Sequence, residues 1–101
     1  MHSQTNIEYK EQAFQVSGDL VFSTVLNLID KVKEQLDQLD SEYIEINLES
    51  VKRIDSAGIA LLVGWKRDCL ASSKICNFQN IPQQAISLLG TYKLLDIVNN
   101  T

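Results

Sequence analysis

A chain of 101 residues with 45% apolar and 22% charged side chains has room for one core and lies far from the composition of disordered proteins. Its net charge of −4 leaves no excess of Lys and Arg to displace counterions from a phosphate backbone, which argues against nucleic acid as a partner. The longest stretch without a polar side chain, Ala57 to Trp65, is well short of the roughly 20 residues of a membrane-spanning helix, so direct membrane insertion is not expected.

The polar segment Met1 to Thr5 lacks the basic-then-apolar pattern of a secretory signal, and a cytoplasmic location is expected. Ile7 and Tyr9, then Phe14 and Val16, alternate at period two around the polar Lys10 to Gln12, which predicts a β-hairpin with one buried face. Gly18 is expected to end its second strand. From Ser23 to about Leu39 an apolar stripe of Val25, Ile29, Val32, Leu36 and Leu39 predicts an amphipathic helix laid on a sheet. Tyr43 to Leu48 sets Ile44, Ile46 and Leu48 against Glu45 and Asn47 and reads as a third strand.

After Val51 and Ile54, two strong N-cap residues, Asp55 and Ser56, precede an apolar run reaching about Ser72, the second helix. Ile75 to Gln79 reads as a fourth strand, and Pro82 fits the first turn of a third helix ending near Leu89, with Gly90 as its C-cap. The tail from Tyr92 to Val98 carries enough apolar surface in Leu94, Leu95, Ile97 and Val98 to dock on the body. This order predicts a single α/β domain over 1–101, its core at about 6–98. Its mixed sheet would have about four strands, the later ones parallel, with three to four helices.

The second helix is unlike the first, because Ala57 to Trp65 has no wet face. Leu61, Leu62, Trp65 and Cys69 make one apolar stripe, Ile59, Val63 and Leu70 a second, and Ala57, Ala60 and Gly64 a third of small residues. Either the domain buries the helix on all sides, or one face is left for a partner to cover. Asp55 and Ser56 either simply cap the helix or, if Ser56 is phosphorylated, place a charge of about −1.5 to −2 at the positive end of its dipole. Periodicity leaves both questions open.

Catalysis is not expected: the one histidine, His2, lies near the N-terminus, and no base stands ready to activate Ser56 as a nucleophile. No glycine-rich phosphate loop occurs and no cluster has metal-ligand spacing, so no cofactor and no metal are implied. Cys69 and Cys76 fit neither a redox motif nor a paired zinc site and read as small core residues.

Val16-Ser17-Gly18-Asp19-Leu20, then Ile46-Asn47-Leu48 before Ile54-Asp55-Ser56-Ala57-Gly58-Ile59-Ala60-Leu61-Leu62, resembles the STAS domain over about residues 6 to 98. The resemblance implies a non-catalytic domain that acts through the helix beginning at Ser56. In one branch, the anti-sigma factor antagonists, a serine-kinase anti-sigma factor phosphorylates the serine after the Asp. In another, the STAS subunit of the Mla phospholipid-transport ABC system, the hydroxyl residue here lies in the surface that grips the cytosolic ATPase subunit. Ala57 and Val21 depart from the antagonist pattern, where a hydroxyl residue and an Asp are common. Ile59-Ala60-Leu61-Leu62, Lys66-Arg67, Asn80-Ile81-Pro82 and the stretch Leu88 to Leu95 with Tyr92 look more like the Mla subunit. The resemblance thus implies an ABC-transporter ATPase as partner, contacted by Asp55, Ser56, Ala57, Gly58, Ile59, Ala60 and Val63. The location it implies is cytoplasmic, peripheral to the inner membrane through that complex.

Overall fold

The computed structural model describes residues 5–98, so His2 and all of the opening polar segment except Thr5 lie outside the described residues. Strands β1 (Asn6–Lys10), β2 (Ala13–Leu20), β3 (Tyr43–Ile54) and β4 (Ile75–Gln79) form one sheet in that order. β1 runs antiparallel to β2, while β3 is parallel to both β2 and β4. The mixed α/β sheet expected from the element order is therefore present.

The hairpin turns at Glu11 and Gln12, both with positive φ, the twist that suits a two-residue connection. Gly18 does not end β2. It adopts φ 89° inside the strand, beside the register shifts at Gln15/Ser17 and Gly18/Asp19, so the glycine marks a bulge and the strand continues to Leu20. Beyond Leu48 the third strand also runs on, because Ser50, Val51, Arg53 and Ile54 stay paired with β2 and Val51 and Ile54 point inward.

The segment expected as a long helix from Ser23 is instead a wound coil: a 3-10 turn at Val25–Asn27, then the single-turn helix α1 (Lys33–Leu36). Leu28, Lys31 and Gln35 each donate to a carbonyl three residues back. Three residues per turn bring Leu28 round above Val25 in place of Ile29. Leu28 is buried with Val25, Val32 and Leu36, while Ile29 is exposed.

Helix α2 (Ser56–Ala71) and helix α3 (Gln83–Thr91) complete the chain. Gly90 lies inside α3. The chain leaves that helix at Tyr92, and Lys93 takes the left-handed conformation (φ 59°) while Leu94 N donates to Leu89 O at 2.7 Å. The tail docks: Leu94, Ile97 and Val98 pack on the core, and Lys66 Nζ donates to the carbonyl of Ile97 at 2.7 Å.

The core is formed by one face of the sheet and the helices over it, with Phe14, Ile44, Ile46, Leu62, Trp65 and Leu89 sealed from solvent. The other face is largely polar and ties itself together, apart from the exposed pair Tyr43 and Ile75. Asn47 Nδ2 donates to Gln15 Oε1 at 2.9 Å, Asn77 Nδ2 and Gln79 Nε2 donate to the Glu45 carboxylate at 3.0 and 2.8 Å, and Asn80 Nδ2 donates to Asn47 Oδ1 at 2.9 Å. Cys69 and Cys76 are free, buried thiols. Their mutual hydrogen bond, and then burial, push the Cys76 thiol far up, which keeps it neutral.

A candidate docking face on the second helix

The start of α2 is built by Asp55. Its Oδ1 accepts from the backbone N–H groups of Ala57 (2.9 Å) and Gly58 (3.2 Å), and its Oδ2 accepts from Phe22 N (3.1 Å) in the loop after β2. Asp55 N in turn donates to Leu20 O at 3.2 Å, so the ends of β2 and β3 are stitched at the point where the helix begins. The cap is thus Asp55 alone. Ser56, read as a second capping residue, is the first helical residue, with its hydroxyl exposed and making no hydrogen bond among the described residues.

Partial burial raises the Asp55 carboxyl, but the backbone donors of Phe22, Gly58 and Ala57 together outweigh it and hold the group below its ordinary value. A carboxylate lowered by folding contributes stability that is fully present above its unfolded value, near 3.9, and is lost as pH falls through the folded value. Asp55→Asn removes this titration. The stability gap between parent and variant, measured by urea unfolding, is therefore expected to be largest near neutrality and to shrink below about pH 4.

Gly58 and Ile59, placed in the partner-binding set by the sequence, face the domain's own interior. A Cβ at Gly58 would overlap the Leu20 carbonyl oxygen and lie 2.6 Å from Ile54 Cγ1, so this glycine lets the helix approach β2. Leu61, Leu62, Trp65 and Cys69 are buried as one stripe. Ser56 and Ala60 are exposed, and Ala57, Val63 and Gly64 are half-buried. Of the seven residues proposed for the site, Ser56, Ala57, Ala60 and Val63 thus reach the surface, with Asp55 half-buried behind them.

This small-residue ridge runs between two grooves. One, of about 420 Å³, is walled by Phe22, Val25 and Ile29 across from Ala57, Ala60 and Gly64. The other, of about 370 Å³, lies between Ser56, Ala60 and Val63 and the tail residues Tyr92 and Leu94. Phe22 is 79% and Leu26 76% exposed, unusual for such side chains and characteristic of a surface that something else covers. Sequence reasoning missed Phe22, Leu26 and Ile29: the wound coil turns Ile29 outward against the helical period, while Phe22 lies ahead of the expected helix. The available signal was Leu26, a large apolar residue that falls off the stripe it adjoins.

The whole described chain matches a known family model, that of the MlaB STAS domain, over residues 3–99. This chain is a STAS domain of the MlaB family. The STAS domain is 32% identical over 85 residues to the intermembrane phospholipid transport system binding protein MlaB of Haemophilus influenzae, a match covering 82% of this chain and 81% of that protein. Its fold is similar to that of the Bacillus cell fate determinant SpoIIAA in its phosphorylated form (TM-score 0.66, 18% identity, 94% of this chain and 88% of that one). A sulfate transporter family protein from Wolinella succinogenes shares it as well (TM-score 0.66, 16% identity, 87% and 70%). Among the described residues of the STAS domain, no helix is long and apolar enough to cross a membrane.

Proposed function

We propose that this STAS domain is a non-catalytic subunit of an Mla-type phospholipid-transport ABC system, where it binds and supports the cytosolic ATPase subunit. Binding is the whole mechanism. The observation that carries this reading is the outward ridge of Ser56, Ala60 and Gly64, flanked by two apolar grooves, on a family member similar to a phospholipid transport system binding protein. Ala60 and Gly64 let another backbone come close, Ala57 and Val63 flank them, Ser56 offers its hydroxyl at the tip, and Asp55, Gly58 and Ile59 hold the helix in place from behind. The protein would then sit at the cytoplasmic side of the inner membrane, held there by its partner.

Ser56→Arg and Ala60→Arg put a long cation on an exposed ridge without disturbing the core. Each is expected to weaken capture of the ATPase by roughly 30-fold or more, the effect of losing about 2 kcal/mol at an interface centre. Circular dichroism should be unchanged. Undiminished co-purification of both variants would overturn the assignment of this face.

The exposed, unbonded hydroxyl of Ser56 also supports a second reading, an anti-sigma factor antagonist switched by phosphorylation there. A phosphate at the first residue of α2 would meet the positive end of the helix dipole and leave the fold intact while altering the ridge. Incubation with a serine-kinase anti-sigma factor and ATP, followed by mass spectrometry, tests it; an unmodified Ser56 rejects it.

A further inference from the structure

We infer that Lys66 is a positioning residue for the partner face: it latches the tail, residues 92–98, against α2 and so holds up the outer wall of the smaller groove. This role deepens the docking reading above and rests on it.

The two grooves beside the ridge are built alike. In each, α2 is the inner wall and a segment remote in sequence is the outer wall, tied down by a polar side chain of α2 or its cap. For the larger groove the tie is Asp55, whose Oδ2 accepts from Phe22 N at 3.1 Å. For the smaller it is Lys66, whose Nζ donates to Ile97 O at 2.7 Å and to Asp96 O at 3.4 Å. Both carbonyls belong to the 3-10 turn Leu95–Ile97, and the last carbonyls of a helical turn lack partners within it, which makes them good acceptors for a lysine.

The tail depends on this tie. From Tyr92 to Val98 no side chain is fully buried: Leu94, Ile97 and Val98 are half-buried, and Tyr92 and Leu95 are exposed. Its start is fixed to α3, since Tyr92 N donates to Leu88 O at 3.0 Å and Leu94 N to Leu89 O at 2.7 Å. Beyond Leu94, the bonds from Ile97 N to Leu94 O and from Val98 N to Leu95 O stay inside the tail, whereas Lys66 reaches it from α2. A segment with so little buried area opens locally at small cost, and a hydrogen bond from a charged donor is large on that scale. Tyr92 and Leu94 line the smaller groove opposite Ser56, Ala60 and Val63. A partner seated on the ridge meets that wall only while the far end of the tail is down. With the latch gone, Leu94 and the chain after it lift, and the groove loses one side without any change in what Lys66 itself touches on the partner.

Amide hydrogen exchange and capture of the ATPase subunit of the same organism's Mla-type transporter, both on the whole chain, test the role together. Lys66→Met keeps the apolar stem and removes the donor. Exchange at Ile97 and Val98 should rise about tenfold, the scale of one hydrogen bond from a charged donor, while the Ile59 amide, which donates to Asp55 O, keeps its parent rate. Capture should weaken about tenfold, as for loss of a contributing contact. Lys66→Arg retains charged donors within reach of both carbonyls and should restore tail exchange and capture alike. Tyr92→Ala removes part of the wall and leaves the latch, so capture should fall while tail exchange stays at the parent rate. Parent-level exchange in Lys66→Met overturns the latch. Faster tail exchange with parent-level capture overturns the positioning role, since it makes Lys66 a purely structural residue. Ala60→Arg scores the docking reading separately: if the parent captures no ATPase, or Ala60→Arg captures it undiminished, that reading falls and the positioning role falls with it. Capture lost in Ala60→Arg and kept in Lys66→Met removes the positioning role alone.

Discussion

Gly58→Ala is expected to cost about 3 kcal/mol of folding stability, a loss visible as a large drop in the urea midpoint. Helix propensity alone points the other way, because Ala is favoured over Gly by about 1 kcal/mol inside a helix. Packing decides the sign. The added methyl would overlap the Leu20 carbonyl oxygen, a backbone atom that already accepts the Asp55 N–H, and would lie 2.6 Å from Ile54 Cγ1. Neither can swing aside as a side-chain tip would, so α2 must lift off β2 and loosen the cap. Gly64→Ala is the matched control: with open space at its Cβ, it should gain up to about 1 kcal/mol. Equal midpoints for the two variants would mean that α2 does not approach β2 as closely as described.

Trp65→Ala should be costlier still, about 3 to 5 kcal/mol. Trp65 is sealed from solvent beneath α2, and its Nε1–H points to the Leu28 carbonyl at 3.4 Å. Truncation opens a cavity and leaves that carbonyl without its indole donor. For a domain whose total stability is of the order of 5 to 15 kcal/mol, such a loss produces a detectable unfolded population. Trp65→Phe, which keeps most of the apolar volume, should cost markedly less, and the difference between the two by denaturant titration measures how tightly the helix sits on the sheet. As the single tryptophan of the chain, Trp65 also reports unfolding of the parent by a red shift of its emission.

Strand alternation was legible because it depends on nothing beyond the sheet's two faces. Ile44, Ile46 and Leu48 point inward and Glu45 and Asn47 outward, as their order demands. The α2 stripe of Leu61, Leu62, Trp65 and Cys69 was equally plain. Where the outcome hung on small shifts of backbone geometry, the sequence was mute. The three-residue turns between Val25 and Leu36 exchanged Leu28 for Ile29, and that one phase change created a groove wall that helical periodicity assigns to the core. The bulge at Gly18 likewise extended two strands past the points where their alternation breaks.

The site shows the same division. Asp55 and Ser56 were both credible caps from their chemistry, and only the 33-residue reach from Asp55 Oδ2 to Phe22 N decides which side chain is held and which stays loose. Gly58 and Ile59 entered the partner-binding set because an apolar run gives no direction. The fold turns them in and leaves Ser56 and Ala60 of that set exposed, with Gly64, one turn on, half-buried beside them.

The polar side of the sheet has its own bearing on how the molecule assembles. Asn47 donates to Gln15, Asn77 and Gln79 to the Glu45 carboxylate and Asn80 to Asn47, so most of this surface is satisfied within itself, with the paired Tyr43 and Ile75 at one corner left exposed. The slab is consequently lopsided, largely hydrogen-bonded at its back and bared at its front by Phe22 and Leu26. A small module whose two faces differ so much in polarity has a defined front and back, which is what any assembly needs in order to seat it in one orientation.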